Sequence, residues 1–253
     1  MAQIALTLYT LRDHMAEAGQ IPETLRRVRE IGYQYVQVSG VRGASGGELR
    51  RMLDDAGLEC MATHCRYDQL TPEAVGSVAD EMAALGCRHT ALAWLPQELH
   101  NRAGFVEAGQ RLRGACESLA ERGMTLSYHN HAFEFERFDG VTGWELMFAE
   151  APGLCAEFDV YWLNHAGCDP ASWVMRCDRP QPLIHLKDKE VAANVPRFAE
   201  VGHGNLEWPG ILAAAEAKGV EWWIVEQDDC WRDPFESIRM SFDFLSRARS
   251  PQG

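Results

Sequence analysis

Residues 155–162 read CAEFDVYW, an apolar run that closes on Asp159. Two later segments have the same form. PLIHLKDKE (182–190) holds His185 within its apolar run, and EWWIVEQDD (221–229) closes on Glu226. A fourth, MTLSYHNHAFEF (124–135), brings His129, His131 and Glu134 to the end of a run rich in strand formers. In a barrel of parallel strands, every strand C-terminus faces the same mouth. Acids and imidazoles far apart in the chain then converge, so the pattern predicts both a barrel and a divalent-metal site at its mouth.

Working outward, strands are expected near 3–8, 33–38, 58–63, 88–93, 124–129, 154–159, 182–187 and 222–226. Between them lie helical stretches at 22–31, 45–56, 72–85, 101–122, 141–149, 170–177, 208–218 and 234–247. Several strands are apolar runs without alternation, as expected where both sheet faces are covered. Gly57 and Gly86 sit just past two helices, where a left-handed cap favours glycine. Pro209 and Pro234 sit at helix starts, where a missing N–H does no harm. Ser45 and Asp233 are the expected N-caps of their helices. Strict alternation of eight strands and eight helices predicts an α/β fold, a closed (β/α)8 TIM barrel, as one domain over residues 1–253. The length of 253 residues fits, since such barrels take about 250. A doubly wound open sheet would want a glycine-rich phosphate turn after the first strand, and LYTLRDH has no glycine. The terminal SRARSPQG is expected to fray.

The net charge of −13 repels phosphate backbones, so nucleic acid and anionic membrane are disfavoured as partners. No apolar run reaches the roughly 18 residues of a membrane-spanning helix, and the start of the chain lacks a signal-peptide pattern. The eight cysteines are scattered without a C-x-x-C pair. Reduced, buried thiols and a cytoplasmic location are the expectation.

Three carboxylates and one imidazole (Glu134, Asp159, His185 and Glu226) form a hard, mostly oxygen ligand set. It suits Mn²⁺ first, with Mg²⁺, Co²⁺ or Zn²⁺ as alternatives. Each residue alone has a plainer role. A strand-end carboxylate can cap a helix, and a histidine in an apolar strand can be a hydrogen-bonded core residue. Joint occurrence on successive strands is what points to a metal. His129 and His131 share one face if their strand runs that far, as ligands or proton carriers. Lys187 is placed to neutralise developing charge. His64, in MATHC, is a further mouth residue. Arg12, Arg197, Trp94 and Trp162 are expected to face a substrate, the tryptophans by stacking. The glycines of VGHGNLEWPG (201–210) predict a tight, exposed loop.

These segments together resemble the sugar phosphate isomerase/epimerase family, with its xylose isomerase-like barrel. The resemblance runs from LTLYTLRD (6–13) through YHNHAFEF, FDVYWLNHAG, IHLKDK and VGHGNLEW to IVEQD (224–228). It implies a metal-dependent isomerase or epimerase acting on a sugar or keto-sugar, phosphorylated or not. The reaction would abstract a proton next to a carbonyl and pass through an enediolate. A lyase or dehydratase on a keto-sugar or inositol ketone is the alternative. Behind it stand a non-catalytic carbohydrate-binding barrel and a zinc-dependent nuclease of the same architecture. Asp159, His185 and Glu226 match three ligand positions of the family. The fourth is assigned to Glu134, with His129 or His131 in reserve, because the family's usual strand-five glutamate is replaced here by His129-Asn130-His131. Glu134 and Glu226, with His129 or His131, are the expected acid–base groups. A small sugar substrate and a homodimer are the implied partners.

Overall fold

The structure is a computed structural model and describes residues 2–249. Eight parallel strands close a ring in the order β1-β12-β9-β8-β5-β4-β3-β2. They are β1 (Gln3–Thr7), β2 (Tyr35–Val38), β3 (Glu59–Cys65), β4 (His89–Leu92), β5 (Thr125–His129), β8 (Cys155–Asp159), β9 (Leu183–Leu186) and β12 (Trp222–Val225). Two antiparallel hairpins stand apart from the ring: β6 (Arg137–Phe138) with β7 (Val141–Thr142), and β10 (Asp188–Ala192) with β11 (Val195–Ala199). Around the ring lie α1 (Ile21–Ile31), α2 (Gly46–Ala56), α3 (Val75–Leu85), α4 (Arg102–Ala120), α5 (Gly143–Glu150), α6 (Val160–His165), α7 (Pro170–Arg176), α8 (Trp208–Ala217) and α9 (Pro234–Arg249).

Local signals set the helix boundaries. Ser45 and Glu48 form a reciprocal capping box at α2, and Thr142 and Glu145 do the same at α5. Asp233 accepts the N–H groups of Phe235 and Glu236 at the start of α9. These contacts satisfy donors that the first helical turn leaves unpaired. Helix α3 begins at Val75, three residues later than the sequence suggests. Thr71 O takes the N–H groups of Ala74 and Val75 and holds the intervening residues in a turn. The final helix carries residues 246–249 of the segment expected to fray, and the remainder of that segment lies outside the described residues.

Strand alternation divides the side chains between two environments. Outward residues such as Leu6, Val36, Leu126, Phe158, Leu186 and Val225 join helix residues such as Leu25, Leu112, Phe148 and Ile211 in the main core. Burying each of these contributes about 1.5–3 kcal/mol. Inward residues Ala5, Met61, Leu183 and Ile224, with Tyr35 and Trp222, form a small apolar plug in the ring. Above that plug the interior turns polar. All eight cysteines are free thiols. Among the described residues, no helix is long and apolar enough to cross a membrane.

The hairpins and α6 are the elements the sequence pattern did not announce. One hairpin turns at Asp139-Gly140 and the other at Ala193-Asn194, both with positive φ at the two central residues. This is the twist that two-residue hairpins require. The second hairpin and the loop after it are fastened by Asp188, which is fully buried. Its carboxylate accepts the N–H groups of Lys189, Gly202, Gly204 and Leu206 and the indole N–H of Trp208. A side chain at Gly204 would collide with that carboxylate, so the close approach needs glycine. Replacing Asp188 by alanine strands these donors in a buried site and is expected to cost about 3 kcal/mol. A urea titration measures this directly; an unchanged midpoint would show that the loop is held by other contacts.

Candidate metal centre and active site

Along β8, Cys155, Glu157 and Asp159 share the inward face by simple alternation. Asp159 ends the strand and does two things. Its Oδ1 caps α6 by accepting the Trp162 N–H at 3.0 Å, while Oδ2 faces the barrel interior, 3.1 Å from the Lys187 ammonium. Asn130 ties the end of β5 to β8, accepting the Asp159 N–H at 3.0 Å. On β9, His185 lies inward and fully buried, with Nδ1 2.9 Å from Glu226 Oε2. Glu226 follows directly on β12. His129 ends β5, with Nε2 3.9 Å from Asp159 Oδ2 and Nδ1 unpartnered. One ligand atom from each of His129, Asp159, His185 and Glu226 lies within 4.8 Å of the others. A deeper group of His64, His129, Glu157 and His185 meets the same criterion and shares two members with it.

Lys187, just past β9, is fully buried among carboxylates. Its Nζ is 2.7 Å from Asp228, 2.9 Å from Glu226 and 3.1 Å from Asp159. Burial disfavours the ammonium, but these carboxylates override it and hold its pKa well above the usual lysine value. Burial raises Asp159 to about 6, against the pull of Lys187. Glu226 is likewise disfavoured by burial, yet Lys187 and His185 bring it well below the ordinary range. His185 is held up to about 10 because Glu226 and Glu157 outweigh its desolvation. Burial, aided by neighbouring positive charge, lowers His129 well below its usual value and His131 to about 3, so both rings are neutral.

A cavity of about 270 Å³ opens on this cluster, lined by Tyr9, Ser39, His64, Trp94, His131 and Asp228 among others. A larger cavity of about 590 Å³ lies beyond Trp94, bordered by Tyr67, Leu99 and Arg111. None of the cluster residues lines it, so the smaller cavity is the one placed for chemistry. His64 borders that cavity, its Nδ1 3.0 Å from Ser39 Oγ. Trp94 stands half exposed, edge-on to His131 with ring centres 4.8 Å apart.

The other expected site residues sit elsewhere. Glu134 is fully buried, accepting the Tyr128 hydroxyl at 2.8 Å and the His131 N–H at 2.9 Å. It is not a member of either ligand group, whereas His129 belongs to both. The reason is direction. Residues 133–135 form a 3₁₀ turn that points Glu134 back at Tyr128, whose ring packs against Phe148 of α5. Arg12 is folded over the Tyr9 ring and reaches Asp229 at 3.9 Å, leaving Tyr9 to line the cavity. Arg197, on β11, pairs with Glu190 at 2.6 Å and covers Trp231. Trp162 packs beside His131 without lining the cavity.

Comparison with known proteins follows the same lines. Residues 25–248 match the family described as xylose isomerase-like TIM barrel. The chain belongs to that family. The rhizopine catabolism protein MocC of Rhizobium meliloti is 25% identical, over 95% of this chain and 86% of its own. A sugar phosphate isomerase/epimerase from Parabacteroides distasonis superposes with a TM-score of 0.81 at 22% identity, covering 99% of both chains. An L-ribulose 3-epimerase does so at 0.72 and 14% identity, with both chains fully covered. The two structural likenesses speak to the barrel and not to the reaction.

The donor set of this xylose isomerase-like chain fits a divalent cation. Two imidazoles and two carboxylates converge, and the buried Nδ1 of His129 lacks a hydrogen-bond partner. The second imidazole makes this set less oxygen-rich than the one expected from the sequence, which disfavours Mg²⁺. Asp159→Ala and Glu226→Ala should weaken Mn²⁺ retention beyond the roughly 100-fold that losing a supporting group costs. Glu134→Gln should leave it nearly unchanged. Metal content after gel filtration measures both; a Glu134 variant that loses its metal would restore Glu134 as a ligand.

Proposed function

We propose that this member of the xylose isomerase-like family is a metal-dependent isomerase or epimerase of a sugar or keto-sugar. The supporting observation is a ligand cluster opening on a small cavity that Asp228 and His131 border from strands three steps apart, β12–β9–β8–β5. The cavity of about 270 Å³ falls just below the roughly 300–1,000 Å³ of pockets that take drug-sized ligands, so it suits a small polyol.

A divalent cation held by His129, Asp159, His185 and Glu226 supplies Lewis acidity that makes the C–H beside a carbonyl easier to ionise. The remaining work falls to side chains of this protein. Asp228 is the base we assign. Burial raises its carboxyl despite the adjacent Lys187, a shift that makes the carboxylate a stronger base. The Lys187 ammonium stabilises negative charge developing on the substrate. His131, kept neutral by burial, is suited to hydrogen-bond a substrate oxygen and not to carry a proton. Trp94 offers an apolar face beside it. Asp228 returning its proton to the neighbouring carbon, with a second proton passing between the two substrate oxygens, would give an isomer, and a proton taken from solvent on the opposite face would give an epimer.

Solvent deuterium incorporation tests this reading across keto-sugars, inositol ketones and keto-glucosides with Mn²⁺ present. At least one should exchange its α-proton, whichever product follows. Asp228→Asn should slow that exchange by about 10²–10⁴-fold while the metal stays bound. Absence of exchange throughout the panel would refute the proposal.

A further inference from the structure

Glu157 has no part in the chemistry described above, yet it is fully buried in the middle of β8, one inward position below Asp159. A carboxylate there is costly to desolvate, so its contacts must compensate. Oε1 lies 2.9 Å from His185 Nε2 and accepts the Gln37 amide N–H at 2.7 Å. Gln37 Oε1 lies 2.8 Å from the same His185 Nε2. Glu157 Oε2 is 3.5 Å from His64 Nε2 and otherwise unpartnered. The two ring nitrogens of His185 therefore face different groups. Nε2 looks down at Glu157 and Gln37, and Nδ1 looks up at Glu226.

Resting on the metal-dependent reading above, we infer that Glu157 is a positioning residue: it accepts the His185 Nε2–H and so presents Nδ1 as the coordinating nitrogen. Two acceptors at Nε2 exclude the other tautomer once His185 is neutral, because a bare Nε2 would face two oxygens. The carboxylate also makes the coordinating nitrogen more basic. Gln37 holds Glu157 in turn, so the ring orientation is built from β2, β8 and β9 together. His185 thus belongs to a buried chain of contacts whose lower end, Glu157 and Gln37, does not line the cavity.

The test is Mn²⁺ affinity by isothermal calorimetry on wild-type protein and on Glu157→Gln, with metal-free thermal melts to confirm folding. Removing the charge while keeping the shape should weaken binding about 10–100-fold, still at one ion per chain. Turnover of Glu157→Gln should recover at saturating Mn²⁺. An unchanged affinity overturns the inference. So does complete loss of binding by a folded variant, which would make Glu157 itself a ligand. A second measurement needs no variant. In ¹⁵N-histidine-labelled wild-type protein loaded with Zn²⁺, His185 should carry its proton on Nε2. Protonation at Nδ1 overturns the inference. Wild-type protein that binds no divalent cation removes both this inference and the function it rests on, whereas unaltered binding in Glu157→Gln removes this one alone.

Discussion

Four carboxylates are gathered inside one ring of strands: Glu157, Asp159, Glu226 and Asp228, three of them with almost no exposed surface. Such a concentration of buried negative charge must be balanced, since desolvating an unpaired carboxylate costs several kcal/mol. Lys187 and a protonated His185 provide the balance within the chain. A divalent cation would add to it from outside and release His185 to act as a ligand. The same electrostatic demand explains the fully buried lysine and the raised His185, and it would favour a divalent cation among these groups.

The barrel makes this arrangement tolerable by separating layers. Ala5, Met61, Leu183 and Ile224 plug the interior with apolar side chains, and the outward strand faces pack on the helices. The polar layer sits above the plug, braced by contacts that do not depend on substrate. Asn130 joins β5 to β8, Asp159 caps α6, and Asp188 fastens the hairpin after β9. Asn130, Asp159 and Asp188 are each held by backbone N–H groups, and Lys187, His185 and Glu226 hold one another.

Much of this was legible in the chain. The barrel strands fall within a few residues of their expected positions because apolar runs, glycine caps and helix-start prolines all report the same boundaries. Asp159, His185 and Glu226 were visible as polar ends to apolar strands. Glu157 was missed, although a readable signal existed: it lies two residues before Asp159, on the same face of a strand otherwise apolar. Glu134 was misplaced because spacing along the chain does not reveal the direction of a side chain in a 3₁₀ turn. Arg12 and Arg197 looked like free cations near the mouth, and the folded chain gives them Tyr9, Asp229, Glu190 and Trp231 instead.

By itself, the order of residues determined the alternation of strands and helices, the class of barrel and the strands that carry ionisable groups. These follow from local periodicity and capping, which act over a few residues. Only the closed ring decided that His129 and not Glu134 joins the cluster, that Lys187 touches three carboxylates, and that Glu157 lies beneath His185. Those contacts span up to 148 residues, as between Gln37 and His185. They depend on strand register and inward angle, which arise from packing across the whole barrel and leave no mark in any one segment.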